Sequence, residues 1–430
     1  MNKEILRLAI PNIISNISVP MLTLVDVALM GHLASAQDLG AIAVGGTVLN
    51  VLYWGFGFLR MSTTGMTAQA AGANDQSESI AMLKMALQVA LVSGIVLIVV
   101  QPILSMVGFR LMEASDEVEH LARQYFRIRI LAAPATLMLH AFHGWFLGMQ
   151  NARTPMILVI LINLCNIVLN LILVAGLQMK VEGVALGTLG AQYIGLLMAI
   201  VLFWRQYSHL WQHRASNPVL WRRFFAISGD IFIRTLCLVF SHAFFTSKSA
   251  FLSDQVLAVN TLLLQFITLL AYAVDGFAFA AESLIGKYKG EANQPKLNRA
   301  VKYTFLWGYA FGLLFCLTFW LAGSRMLHLL TNKPDLIQQA SGYLGWVIIA
   351  PILNIAAYIW DGIYLGASAS QPMRNAMVFS TVVVFFPAYH LLIRFGNHGL
   401  WLALMLFTLS RGLTLTLLAR KHILRIPEGS

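Results

Sequence analysis

Among the polar side chains that interrupt the first hydrophobic stretch of this chain, Leu6 to Gly31, are Asn12, Asn16, Thr23 and Asp26. At ~100° of helical turn per residue they fall within about 80° of arc, a single polar stripe. The stretch is long enough to cross a bilayer, for which ~20 apolar residues suffice. A helix that only anchored a protein would have no use for the stripe. A carboxylate at membrane depth costs ~2.5–3.5 kcal/mol on insertion scales, which makes Asp26 a functional-site candidate. Oxygen atoms from Asp, Asn and Thr suit a hard cation, and a carboxylate among amides and hydroxyls also suits a proton.

Further polar residues fall where apolar ones are expected. Asn163, Asn166 and Asn170 share one helical face of a later stretch, and Thr188 and Gln192 are spaced i, i+4 on the next. Interhelical hydrogen bonds of this type are worth ~0.6–2 kcal/mol, so structural glue and a cation or proton site both stand as readings. In the second half, Asp275 and Glu282 lie seven apart on one face, and Asn354, Tyr358 and Asp361 lie on another. These five form a candidate substrate site or second polar site. Asp230 and Arg234, at i, i+4, read as a structural ion pair. Arg60 and Arg411 are expected near helix ends or paired internally.

The elements that must carry these residues are membrane helices. The 430-residue chain is 58% hydrophobic and 11% charged, with mean hydropathy +0.73. A soluble domain carries ~25% charged residues. The net charge of +11 resides in short gaps between apolar runs, so it reads as topology and not as a nucleic-acid surface. Cys165, Cys237 and Cys316 all lie inside apolar stretches and read as small buried hydrophobes, neither a disulfide framework nor a metal site. The first stretch is too long for a signal peptide and reads as a retained helix.

Twelve spans are expected, near 6–31, 40–67, 80–107, 122–148, 155–177, 183–205, 224–246, 255–285, 300–323, 338–366, 373–394 and 399–420. Basic residues at the N-terminus, in the connection 206–223, around 287–302 and at the C-terminus place both termini in the cytoplasm. The link holding Arg110 and Arg123 fits this pattern less well. An internal repeat is legible. Ala133–Pro134 returns as Ala350–Pro351, Gly144 and Gly148 as Gly362 and Gly366, Pro155 as Pro372, Gly57–Phe58 as Gly276–Phe277 and Gly183 as Gly399. Residues 1–205 and 224–430 then form two six-helix halves of the same topology, joined by 206–223. Asp361 precedes Gly362 as His143 precedes Gly144, so each half carries a polar group at that position.

No phosphate-binding loop, H-E-x-x-H or G-x-S-x-G motif is present, so the sequence gives no enzyme. With no stretch free to form a nucleotide-binding domain, an ion gradient is the expected energy source. Several strings resemble the MATE (multidrug and toxic compound extrusion) family, and within it the DinF branch. They are FLRMSTTGMTAQAAGA at the end of span two, GWFLGMQNARTP after span four, NIVLN on span five and AYAVDGFAFAAE on span eight.

The resemblance implies an all-α membrane protein with two six-helix lobes forming a V around a central cleft. It implies export of varied lipophilic, often cationic drugs or toxins against H⁺ or Na⁺ from a bacterial inner membrane. It also implies a cation or proton site at Asp26, Asn166, Asn170 and Thr188, with Pro11 as the bend point of the first helix. The family usually has aspartate where this chain has Asn170. One carboxylate in place of two weakens any Na⁺ site and favours H⁺. On this reading, protonation of Asp26 lets the first helix repack near Pro11, which lacks an N–H and leaves the carbonyl of Arg7 unpaired. No cofactor beyond the coupling ion is expected, and the partners are membrane lipid and small molecules, with the protein a monomer. A lipid-linked oligosaccharide or lipid flippase, which calls for a strongly basic cleft, and an ion channel are the alternatives.

Overall fold

The computed structural model describes residues 1–22, 35, 37–110, 112, 115–213 and 219–424 with their side chains, and the backbone alone at 23–33, 36 and 218. Among the described residues, twelve helices are long and apolar enough to cross a membrane. In chain order they are α1 (Asn2–Leu33), α2 (Gln37–Gly72), α3 (Gln76–Val99), α4 (Asp116–Gly148), α5 (Arg153–Gly176), α6 (Val181–Gln212), α7 (Val219–Leu252), α8 (Asp254–Gly290), α9 (Gln294–Leu330), α10 (Leu344–Gly366), α11 (Ser370–Phe395) and α12 (Asn397–His422). No strand occurs among the described residues. Many large apolar side chains point outward, including Trp320 (68% exposed) and Leu417 (79% exposed), as expected of helices solvated by lipid.

Two expected spans are each split into separate helices. The third was read as one run over 80–107, but α3 ends at Val99 and a separate helix, Gln101–Arg110, follows. Pro102 cannot donate a backbone hydrogen bond and sits at the restart. The tenth was read as 338–366, but Pro334–Ser341 is its own short helix, and α10 starts at Leu344.

The chain packs as two units. One comprises Ile14–Arg222, the other Met1–Ile13 with Arg223–Ser430. In the first, α4 is the most enclosed helix; in the second it is α10. The helix α1 is unbroken through Pro11, and its first turns belong to the second unit. There Tyr288 Oη donates to Glu4 Oε1 (3.0 Å) and Trp307 Nε1 to Asn2 Oδ1 (3.3 Å). A Cβ on Gly276 would strike Ile13 and the carbonyl of Ala9, so this glycine lets α8 approach α1 backbone to backbone.

The repeat is written into the backbone with a constant spacing of 218. The described residues with positive φ fall into three pairs at that separation: Asn74 and Ala292, Gln150 and Ser368, Gln178 and Gly396. The first two pairs end helices in the same way. Asp75 N–H reaches Ala70 O at 2.9 Å as Asn293 N–H reaches Tyr288 O at 2.9 Å, and Asn151 reaches Phe146 O as Ala369 reaches Tyr364 O. A left-handed residue turns the chain so that these last carbonyls find donors. N-caps obey the same spacing, Ser35 with Ser253 and Asp75 with Asn293. Of the sequence matches, Gly144 and Gly148 with Gly362 and Gly366 keep this register, Ala133–Pro134 with Ala350–Pro351 and Pro155 with Pro372 fall one residue short, Gly183 with Gly399 falls two short, and Gly57–Phe58 with Gly276–Phe277 is one long. This last match is not a structural equivalence, because α2 is interrupted at Phe56–Gly57 while α8 runs on.

Glycines set the closest helix approaches in both units. A Cβ on Gly144 would meet the carbonyl of Arg60, and one on Gly148 would meet Thr67 and the carbonyl of Thr64. In the second unit, Gly362 and Gly366 stand against the carbonyls of Ala278 and Glu282. Arg60 and Thr64 are again 218 residues from Ala278 and Glu282. These seams hold α4 to α2 and α10 to α8, and so fix where the polar residues on those helices stand.

Candidate functional site

In the first unit, the Asn face of α5 meets α6. Asn166 and Asn170 are 1% and 0% exposed. Asn170 Nδ2 donates to Asn166 Oδ1 (3.1 Å), Asn166 Nδ2 to Thr188 Oγ1 (2.9 Å), and Thr188 Oγ1 to the carbonyl of Val184 (2.9 Å). Each donor thus passes to the next acceptor, ending on backbone. Gly187 makes the seat for Asn170, since a Cβ there would collide with Asn170 Oδ1. Directly after Asn170, α5 widens into a π turn, Leu171–Gly176. Such turns recur at functional sites in helices.

Asn163, on the same α5 face, turns to α1 and donates to Ser18 O and Ser18 Oγ, each at 3.2 Å. Asn12 spends its amide on Leu8 O of its own helix (2.9 Å). The backbone of Asp26 and Thr23 belongs to α1, but their side chains lie outside the described residues. The structure therefore brings Asn166, Asn170 and Thr188 together and is silent on the carboxylate assigned to them. Among the described residues, no three His, Cys, Asp or Glu side chains converge as a metal site. What the trio offers is amide and hydroxyl oxygen, the donor set of a hard cation or a proton relay.

The second unit holds a buried ion cluster. Arg234 Nη2 donates to Asp361 Oδ2, and Arg411 Nη2 stands 3.6 Å from the same oxygen. Arg411 also lies over the ring of Tyr358, 5.7 Å from its centroid. Arg234, Asp361 and Arg411 are 7%, 6% and 2% exposed, and Asn354, two turns earlier on α10, is 3% exposed. Glu282 is fully buried on α8, while Asp275 and Tyr358 are half-buried.

The expected pair Asp230–Arg234 does not form. Asp230 instead accepts from Arg374 Nη1 (2.6 Å) and Ser370 Oγ (2.7 Å). The reason is burial. Asp361 has little access to solvent and an unpaired carboxylate there costs several kcal/mol, whereas Asp230 has a partner, Arg374, at a more exposed position. Arg411 pairs internally, as one of its two expected fates. Its joint role with Arg234 was the feature sequence reasoning missed. The available signal was a deficit, since a carboxylate at membrane depth on α10 demands a cation from another helix.

In the first unit His143, the repeat counterpart of Asp361, lies one turn from His140 on α4, and their Nε2 and Nδ1 atoms are buried without a hydrogen-bond partner.

Twelve candidate membrane spans among the described residues, a backbone repeat of 218 residues and a buried polar cluster in each packed unit fit a membrane transporter. The sequence profile of the MatE family matches residues 11–172 and 231–390, one match in each half, and the chain belongs to this family of transporters, not to an enzyme class. It is 37% identical over 430 residues to the DNA damage-inducible protein F of Escherichia coli (strain K12), covering 98% of this chain and 92% of that protein. It is 21% identical over 349 residues to a probable multidrug resistance protein NorM of Thermotoga maritima, covering 78% of this chain and 74% of that one. Among solved structures, it is similar to an outward-facing multidrug resistance MATE family transporter of the MOP superfamily (TM-score 0.89, 20% identity, 98% and 96% of the two chains). It is also similar to a MATE captured in a bent conformation (TM-score 0.87, 20% identity, 98% and 95%).

Proposed function

We propose that this protein is a secondary active multidrug exporter that antiports lipophilic, often cationic compounds against H⁺, with Na⁺ the lesser alternative. Export proceeds by alternating access, a binding site open to one side of the membrane and then to the other. The relatives named for multidrug resistance support the substrate class. One observation carries the assignment of the ion site. Asn163 on α5 is hydrogen-bonded to Ser18 on α1, and both helices, as odd-numbered spans, run in the same direction. Two turns further along, α5 presents Asn170 and α1 carries Asp26. This register supports assigning Asp26 to the Asn166–Asn170–Thr188 run.

On this reading Asp26 takes up a proton that enters down the gradient. Neutralising it releases α1 to repack, with Pro11 as the bend, and each charge moving with the membrane potential supplies ~2.3 kcal/mol per 100 mV. Bent and straight conformations of a protein with this fold support a bending element. The division into 1–205, 206–223 and 224–430, cytoplasmic termini, a bacterial inner-membrane location and a monomeric state belong to the same proposal.

The test is efflux from proteoliposomes of purified protein under an imposed pH gradient and, separately, a Na⁺ gradient. Efflux driven by the pH gradient and lost in Asp26→Asn is expected. Drug-dependent proton flux at the wild-type rate in Asp26→Asn would refute the role of Asp26, and efflux driven by Na⁺ alone would reassign the ion.

A further inference from the structure

We propose that the cluster Arg234–Asp361–Arg411 beside Tyr358 is a subsite for the carboxylate of an aromatic zwitterion, an assignment that deepens the export reading above and rests on it. The argument starts from hydrogen-bond bookkeeping inside the second unit. Arg411 is 2% exposed and Arg234 7% exposed. Between them they present three nitrogens that make no hydrogen bond: Arg411 Nε, Arg411 Nη2, which stands 3.6 Å from Asp361 Oδ2, and Arg234 Nε. On the acceptor side, Asp361 Oδ1 and Asn354 Oδ1 are equally unpartnered. One carboxylate thus meets two guanidinium groups and satisfies neither in full. Buried polar groups are ordinarily hydrogen-bonded, so unmatched donors on both arginines beside an unmatched oxygen of Asp361 point to a polar ligand between them.

The chemistry of the gap selects the occupant. A guanidinium offers a planar fork of donors that a carboxylate accepts bidentately, and a simple ammonium offers no acceptor for it. A purely cationic ligand would face two arginines. The ring of Tyr358, over which Arg411 already lies, gives a flat, half-buried surface on which an aromatic group can stack. Asp275 of α8 lies within electrostatic reach of the same Tyr358 hydroxyl and supplies negative charge for the cationic end. The four charges Arg234, Arg411, Asp361 and Asp275 sum to zero, which suits a ligand that is itself neutral overall but charged at both ends. Arg374, already held by Asp230, takes no part.

The experiment uses a matched pair of fluorescent probes, rhodamine B, a zwitterion with a free carboxylate, and rhodamine B ethyl ester, the same ring system as a cation. Binding to the full-length protein in nanodiscs is followed by fluorescence polarisation with no gradient applied. The wild type is expected to bind the free acid about tenfold tighter than the ester, the scale of one charge-assisted, bidentate contact. Arg411→Gln is expected to abolish that preference by weakening the binding of the free acid. Arg411→Lys keeps the charge but not the fork, so it should retain the fold and only part of the preference, and Arg374→Gln should leave the preference intact. Equal binding of the two probes to wild type overturns the proposal and assigns the unmatched groups to ordered water only. A preference that survives intact in folded Arg411→Lys and Arg411→Gln also overturns it, because the carboxylate then binds elsewhere. Failure of the export reading is seen separately. If proteoliposomes move neither probe under any gradient while the binding preference and its loss hold, the subsite stands and the exporter assignment falls.

Discussion

Replacing Asp361 by Asn keeps the shape of the side chain and removes the charge that Arg234 and Arg411 share. Both arginines are nearly inaccessible, so the variant leaves two desolvated cations facing one another without an anion between them. Breaking a buried ion pair from one side costs about 3–5 kcal/mol, because the remaining charge stays buried. With two arginines on one acceptor, the upper end of that range is expected. Asp230→Asn is the internal comparison. Its partner Arg374 is 29% exposed and can turn to water, so the loss is screened and should be about 0–1 kcal/mol. Thermal unfolding of detergent-purified, full-length protein, read by fluorescence-detected size exclusion, ranks the two variants. Arg234→Gln combined with Asp361→Asn should recover part of the loss of Asp361→Asn alone, since it removes an unpaired charge. The reasoning fails if Asp361→Asn is no more destabilised than Asp230→Asn. It fails equally if the double variant behaves as the sum of the singles to within about 0.5 kcal/mol.

Gly187→Ala puts a methyl group into Asn170 Oδ1 and should impair ion-driven efflux, whereas Gly190→Ala meets only the flexible Leu169 Cδ1 at 3.1 Å and should be tolerated; proteoliposome transport compares them. Gly366→Ala drives a Cβ into the backbone carbonyl of Glu282, which cannot move aside as a side chain can, and overpacking of that kind costs about 1–3 kcal/mol or more, measurable as lost thermal stability. Thr188→Val removes the acceptor of Asn166 Nδ2 and should lower coupled transport with a stability cost of about 1–3 kcal/mol for the orphaned amide. Tyr288→Phe releases Glu4 from α8 at a cost of about 0.5–1.5 kcal/mol, seen as faster proteolysis or hydrogen exchange at the start of α1.

Much of the fold was legible because the bilayer dictates it. A span must be about twenty apolar residues long, and twelve such runs were found where twelve helices stand. Helix ends were not legible from hydropathy, because caps set them. The eighth and ninth spans were expected over 255–285 and 300–323, yet α8 and α9 run Asp254–Gly290 and Gln294–Leu330, starting at the caps Ser253 and Asn293. The asparagine face of α5 was legible because helical spacing is local. Charge pairing in the second unit was not, because Asp361 takes its partners from α7 and α12, far away in sequence, and i, i+4 proximity is a weak force against the need to neutralise a buried acid.

The repeat shows what such a scaffold leaves free to vary. Positions 218 apart agree in caps, in left-handed turns and in the glycine seams, all of which are demands of backbone geometry. The chemistry carried on that geometry differs. Thr64 corresponds to Glu282, His143 to Asp361 and Arg60 to Ala278, while Asn166 and Asn170 correspond to Val384 and Ala388. The amide-and-hydroxyl run on α5 and α6 therefore has no counterpart in the second half, and the Arg–Asp–Arg cluster has none in the first. If both halves bound the same species, each would need a similar donor set. They instead offer an oxygen-rich seat of amides and a hydroxyl in one and a charged, guanidinium-rich seat in the other. On the proposed reading this separates the coupling ion from the polar end of the ligand. Each then acts on its own helices, and two equilibria with different preferences are what an antiporter must link.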